Sequence, residues 1–276
     1  MFEAPFMVRA FAELALLALI CGPVSVFVFT RRLSFVADAL THTVFPGVVI
    51  GFVAAGSEGI FGGALVAGAL TAVALTLLTR GGLLSDDAAT AVVLTAMFSV
   101  GVALVSRRSS YTSDLTSFLF GRLLTVTTRQ LAETAVLAVV ILALVALGAR
   151  AWTFRAFDPD GARAAGYRTT LLDLWLNLVV ALVVVAAVRA VGTVLVIALL
   201  VVPAAAARTV TDRLPVMAAL GTILTLLAGY AGLWVSWTAS VGYGLRLTSA
   251  TAVVLALVLA YAVLLGAGRL RTGRLR

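Results

Sequence analysis

Lysine is absent from these 276 residues; all 20 basic residues are arginine. Cysteine occurs once, at Cys21, inside an apolar run. That excludes a disulfide framework or a cysteine-rich metal centre within one chain, and Cys21 reads as a small buried hydrophobe. Histidine also occurs once, at His42. Charge is scarce: 12% of residues are charged, where a soluble domain carries about a quarter. Most of the surface must therefore face something other than water. Catalytic signatures are missing too. Gly81-Gly82 is not part of a Gly-Lys-Ser/Thr phosphate loop, and neither a Gly-x-Ser-x-Gly elbow nor a His-Glu-x-x-His motif occurs. The chain is not expected to be an enzyme or to hydrolyse ATP itself.

What is present is apolar. Hydrophobic residues make up 62% of the chain and the mean hydropathy is +1.15. Runs long enough to cross a bilayer recur near 7–29, 36–56, 60–79, 88–106, 130–150, 171–188, 191–208, 215–237 and 245–266. The expectation is an all-α, multi-pass membrane bundle of eight or nine helices, with residues 1–276 forming one transmembrane domain. The first run is longer than a signal-peptide core and ends in Arg31-Arg32 without a small-residue cleavage site, so it is expected to stay as an anchor. The net charge of +8 sits between apolar spans, which fits the positive-inside bias and anionic lipid better than nucleic acid. With the N-terminus outside, Arg31, Arg32, Arg80, Arg155, Arg163, Arg168, Arg208, Arg213 and the tail Arg269, Arg271, Arg274 and Arg276 are all cytoplasmic. Arg107, Arg108, Arg122 and Arg129 then lie outside, against the bias; a half-helix or surface helix over Ser117 to Val126 would ease the conflict.

Asp38 and His42 are one helical turn apart at the start of the second span, so they share a face. A carboxylate in a membrane helix costs about 2.5–3.5 kcal/mol on insertion scales and needs a partner or a wet path. Pro46 lacks the N–H that would bond the His42 carbonyl, and Gly47 loosens the backbone further. Carboxylate, imidazole and a freed carbonyl suit a divalent cation, and a two-fold dimer would double the donors. Such nitrogen and oxygen ligands fit manganese, iron(II) or zinc. The alternative is that Asp38 caps or snorkels beside Arg31 and Arg32 while His42 is an interior histidine. Farther on, residues 154–167 form a polar connection in which Asp158 can cap a short helix, Pro159 can open it and Gly166 can end it. That is either a docking handle for a soluble partner or an ordinary capped loop. Glu13 and Glu133 lie near run ends and are expected to snorkel, Arg189 falls at an expected turn, and Pro203 should kink its span.

Several of these segments resemble one family. Arg31-Arg32-Leu33-Ser34-Phe35, then Asp38-Ala39-Leu40-Thr41-His42 and Pro46-Gly47, is similar to the signature of permeases from ABC importers of zinc, manganese and iron(II), which reads Gly-Asp-Ala-Leu-Ser-His and Leu-Pro-Gly. Asp114-Leu115-Thr116-Ser117-Phe118-Leu119-Phe120-Gly121 is similar to its Asp-Leu-Asn-Ser-Tyr-Leu-Phe-Gly. Phe157-Asp158-Pro159 with Ala162, Arg163 and Gly166 resembles its ATPase-contact loop, and residues 191–204 resemble its late-helix motif. The resemblance implies a type II ABC importer permease in a bacterial inner membrane. It would work with a second permease copy, a separate ATPase that binds ATP, and an extracytoplasmic metal-binding protein, and it would hold no intrinsic cofactor. Asp38 and His42 would be the pathway ligands. Residues 152–170 would couple to the ATPase through Arg155, Asp158, Pro159, Ala162, Arg163 and Gly166. Pro46, Gly47 and Pro203 would shape the helices. Ala37 replaces the family's glycine and Thr41 its serine. The competing expectation is a stand-alone secondary transporter of metal or small solutes.

Overall fold

The computed structural model describes residues 4–80, 84–106, 121–245 and 247–273. All its regular elements are helical: α1 (Pro5–Thr30), α2 (Ser34–Thr43), α3 (Phe45–Thr79), α4 (Asp86–Val105), a 3₁₀ turn (Leu123–Thr125), α5 (Thr128–Phe157), α6 (Pro159–Ala164), α7 (Thr169–Arg208), α8 (Leu214–Tyr243) and α9 (Ser249–Gly273). Among the described residues, eight segments are long and apolar enough to cross a membrane: Pro5–Thr30, Ser34–Gly56, Glu58–Thr79, Asp86–Leu104, Thr128–Phe157, Thr169–Arg208, Leu214–Tyr243 and Ser249–Ala267. Their outward surfaces are apolar, with Leu147, Val139, Val263 and Val66 all well exposed, as lipid-facing helices require.

Local chemistry sets the ends. Ser85 caps α4 by accepting from the Ala88 N–H at 3.2 Å, and Asp86 and Asp87 complement the dipole in its first turn. Thr127 and Gln130 form a reciprocal capping box at α5: the Thr127 N–H donates to Gln130 Oε1 at 3.0 Å and the Gln130 N–H donates to Thr127 Oγ1 at 3.2 Å. Pro5, Pro46, Pro159 and Pro215 stand at or near helix starts, where a missing N–H costs nothing.

Two of the helices are broken. In α3 the backbone leaves helical values at Ala55 and Gly56 (φ 62°). The two arms then fold back on each other through glycine: a Cβ on Gly47 would collide with the Gly63 carbonyl, and one on Gly51 with that of Gly59. Backbones meet this closely only where both sides lack side chains. The expected spans 36–56 and 60–79 thus form one tight hairpin. In α7 the break is Gly192 (φ 76°, ψ 165°), a region open essentially to glycine alone. The 40 residues of α7 would run about 60 Å unbroken, twice the hydrocarbon thickness. The separate spans expected at 171–188 and 191–208 are the two arms of this interrupted helix. The carbonyl of Ala190, beside the break, accepts from the Arg122 N–H at 3.0 Å, and Gly121 packs on the Val191 backbone. At Pro203, where a kink was expected, the backbone dihedrals remain helical, and a Cβ added at Gly221 of α8 would come within 3.3 Å of Pro203 Cβ.

The helices gather into two compact groups. One holds α1, the start of α5, the end of α7, α8 and α9; the other holds α2 to α4, the remainder of α5, α6 and the start of α7. In the first, α8 packs on α9, and Val26, Ala204, Ala207 and Met217 form a small-residue core. In the second, α4 packs on α2 and α3, and Asn177 Nδ2 donates to Thr76 Oγ1 at 3.1 Å, satisfying both buried groups. The Asp114–Phe120 stretch, with Arg107 and Arg108, lies outside the described residues; the only regular piece described within 117–126 is the 3₁₀ turn.

Candidate functional site

The second group carries the candidate site. Helix α2 places Asp38 and His42 on one face, with Asp38 Oδ1 3.8 Å from His42 Nε2. Their side chains are 37% and 32% exposed respectively, so both can be reached from one side. At ~2.1 Å per bond, two neighbouring donors on one ion stand about 3.0–3.4 Å apart, so a small rotamer adjustment suffices for a shared cation. Asp38 does not cap α2, and Arg31 is engaged elsewhere. The N-cap of α2 is Leu33, with no side-chain capping bond, and Arg31 is engaged by Asp173 at 2.7 Å. The imidazole is held from behind: His42 meets Phe98 of α4 edge-on at 6.2 Å, Phe45 lies 6.3 Å from Phe98, and Gly101 lets Phe45 approach α4. Thr41 donates to the Asp38 carbonyl at 2.7 Å, so its hydroxyl is spent on the helix. The break after α2 is milder than Pro46 suggests. Val44 keeps right-handed helical dihedrals, and its N–H faces the carbonyls of Leu40 and His42; the His42 carbonyl is not left wholly free. Gly47 serves the α3 hairpin. Among the described residues no group of three or more His, Cys, Asp or Glu side chains could hold a metal. The pair brings together one carboxylate and one imidazole.

The connection after α5 folds as its residues dictate. Asp158 caps α6 by accepting from the Gly161 N–H at 2.8 Å, and Pro159 takes the first turn. Gly166 (φ 85°) ends it: the Tyr167 N–H donates to Ala162 O and the Gly166 N–H to Arg163 O, both at 3.0 Å, a complete Schellman motif. Ala162 is fully buried. Arg163 points outward beside Asp160 at 3.1 Å, and Phe157, 68% exposed, leaves an aromatic ring on the surface. Arg155 behaves differently from its neighbours. Its side chain is 15% exposed and binds Asp173 Oδ2 at 3.2 Å, so it faces inward.

Sequence reasoning missed several polar groups. Asp173 binds both Arg31 and Arg155. Glu13 does not snorkel: it is 1% exposed and accepts from Thr134 Oγ1 at 2.8 Å. Glu133 pairs with Arg189 at 2.9 Å and Arg129 at 3.2 Å, so Arg189 is a partnered helix residue rather than a loose turn residue. The only available signal was the cost of charge inside apolar runs, which demands partners without naming them.

The family model for the ABC 3 transport family matches residues 3–266. The chain belongs to the ABC 3 transport family. It is a multi-pass membrane permease of an ABC transporter. It is similar to the manganese transport system membrane protein MntC of Halalkalibacterium halodurans, at 32% identity over 91% of this chain and 86% of that protein. It is similar to the manganese import system permease protein ScaB of Streptococcus parasanguinis, at 30% identity over 89% and 87%. Among solved structures, PsaBC from Streptococcus pneumoniae in complex with a Fab matches with a TM-score of 0.81 and 26% identity, over 95% of this chain and 91% of that one.

Proposed function

We propose that this chain is the membrane-spanning subunit of an ATP-driven importer for a divalent transition metal ion, manganese, iron(II) or zinc. The observation that carries this reading is the Asp38–His42 pair, stacked one turn apart on an accessible face and backed by Phe98. Relatives named for manganese transport support the cargo class. Two donors per chain are too few to trap an ion, and a second copy would complete a four-donor set at a shared axis. Modest ligation suits passage, because a tight site would not release its ion.

The remaining parts follow the same reading. A separate ATPase docks on the 152–170 segment, where the end of α5 offers exposed Phe157 and capped α6 offers Arg163. Closure of the ATPase pair on ATP moves α6 and opens the outer mouth. An extracytoplasmic protein delivers the ion, which passes Asp38 and His42. Hydrolysis resets the pair. The test is manganese uptake in proteoliposomes holding the permease, its ATPase and its binding protein. Uptake is expected only with ATP. In Asp38→Ala or His42→Ala it should fall at least about a hundredfold while the subunits still assemble. ATP-independent uptake by the permease alone would instead establish a stand-alone transporter.

A further inference from the structure

We infer that Arg31, Asp173 and Arg155 form a positioning strut that ties the α6 segment to the root of the helix carrying Asp38 and His42; the inference rests on the function proposed above. Asp173, in the first turns of α7, is bound on both carboxylate oxygens: Arg31 Nη2 donates to Oδ1 at 2.7 Å and Arg155 Nη2 to Oδ2 at 3.2 Å. Arg31 Nη1 also reaches the Arg155 carbonyl at 3.5 Å. The three side chains are 15–28% exposed, so water screens them less than a surface pair.

Their places in the chain give this contact its meaning. Arg155 is in the last turn of α5, just before α6, and Asp173 is just after it. The α5 and α7 flanks are stapled together independently: Trp152 Nε1 donates to the Leu172 carbonyl at 3.1 Å, and Trp152 and Trp175 meet edge-on at 5.1 Å. A push on α6 therefore moves both flanks as one piece. Arg31 stands at the opposite end of the strut, in the turn that enters α2. There Arg32 adopts a positive φ of 55°, a conformation unfavourable for a residue with a side chain. Such a turn persists when its surroundings hold it, and the bond from Arg31 to Asp173 does so. The strut also has room to move. A cavity of about 120 Å³ beside it is lined by Arg31, Asp86, Arg155, Asp173 and Asn177, large enough for a few waters. Among the described residues the Nε of Arg155 is buried without a hydrogen-bond partner, and the Arg155 bond to Asp173 is the longer of the two.

The experiment uses the whole transporter in proteoliposomes and reads manganese ions imported per ATP hydrolysed. Asp173→Asn is expected to keep ATPase binding and hydrolysis within about twofold of the unaltered protein while lowering the import ratio at least tenfold. Asp173→Glu should restore at least half of it. Arg31→Gln should lower the ratio likewise, and the Arg31→Gln/Asp173→Asn double variant should be no worse than either single change, because one strut is lost. A second measurement needs no metal. Hydrogen exchange of residues 34–43 should respond to a non-hydrolysable ATP analogue in the unaltered complex and not in Asp173→Asn. An unchanged import ratio, a parallel fall of import and hydrolysis, or an identical exchange response in both proteins would overturn the strut. Absence of manganese import by the unaltered complex would refute the cargo reading alone, and the exchange response would still decide the strut.

Discussion

Single side chains in this protein are costly or cheap according to the partners they find. Asp38 and His42 were legible because helical periodicity alone puts residues one turn apart on one face. Asp173 was not, because its partner Arg31 is 142 positions away and no local pattern carries that distance. Glu13 shows the same limit: the sequence marks a carboxylate in an apolar run, but only the fold brings Thr134 to it. Replacing Thr134 by Val leaves Glu13 without its donor. The expected cost is about 1 kcal/mol, modest because polar groups in membranes find alternatives in the unfolded reference state. Differential scanning of the purified protein in detergent should show a midpoint lower by a few degrees, and an unchanged midpoint would mean that Glu13 is satisfied elsewhere.

Among the elements, the helices were readable from apolar length, and their interruptions were less so. A stretch such as 45–79 reads as two spans with a connection at 57–59, yet the chain turns at Ala55–Gly56 and stays helical on both sides. Hydropathy is blind to dihedral angles; glycine spacing is the better signal, and only in hindsight does the Gly47/Gly51/Gly59/Gly63 set stand out as a contact. It makes a sharp prediction. Gly63→Ala puts a methyl into the Gly47 carbonyl, whereas an added Cβ at neighbouring Gly62 meets nothing within 4 Å. Detergent-extracted Gly62→Ala should elute as the unaltered protein does on size exclusion, and Gly63→Ala should aggregate or lose most of its yield. Helix α6 was legible in full, because Asp158, Pro159 and Gly166 are local signals for local bonds. Asp158→Ala removes the cap at about 1 kcal/mol; in pull-downs with the ATPase subunit, binding should weaken severalfold, and Asp158→Asn should retain most of it.

At the level of the whole molecule, the arginine distribution predicts an orientation, and the structure brings arginines from distant segments together. Arg31 and Arg155, both assigned to the cytoplasmic face, meet at one carboxylate; Arg129 and Arg189, assigned outside and to a turn, meet at Glu133. Scarcity of cysteine turns this into an experiment. Cys21 is buried in α1, and Cys21→Ser gives a background with no thiol. In intact cells a membrane-impermeant maleimide should label Thr125→Cys and spare Arg163→Cys, both exposed positions. The reverse pattern would invert the topology.

The junction at Gly192 bears on how such a chain can be made at all. An interrupted helix in an apolar segment presents a carbonyl that lipid cannot satisfy, and here the donor for Ala190 comes from Arg122. Ribosomes release the N-terminal side first, so the donor has already left the tunnel when the interruption emerges. Had the order been reversed, the nascent segment would wait in the bilayer with its polar backbone bare. Permuting the gene so that residues 186–208 precede residues 121–129 should therefore slow insertion and favour degradation, even though every finished contact is the same.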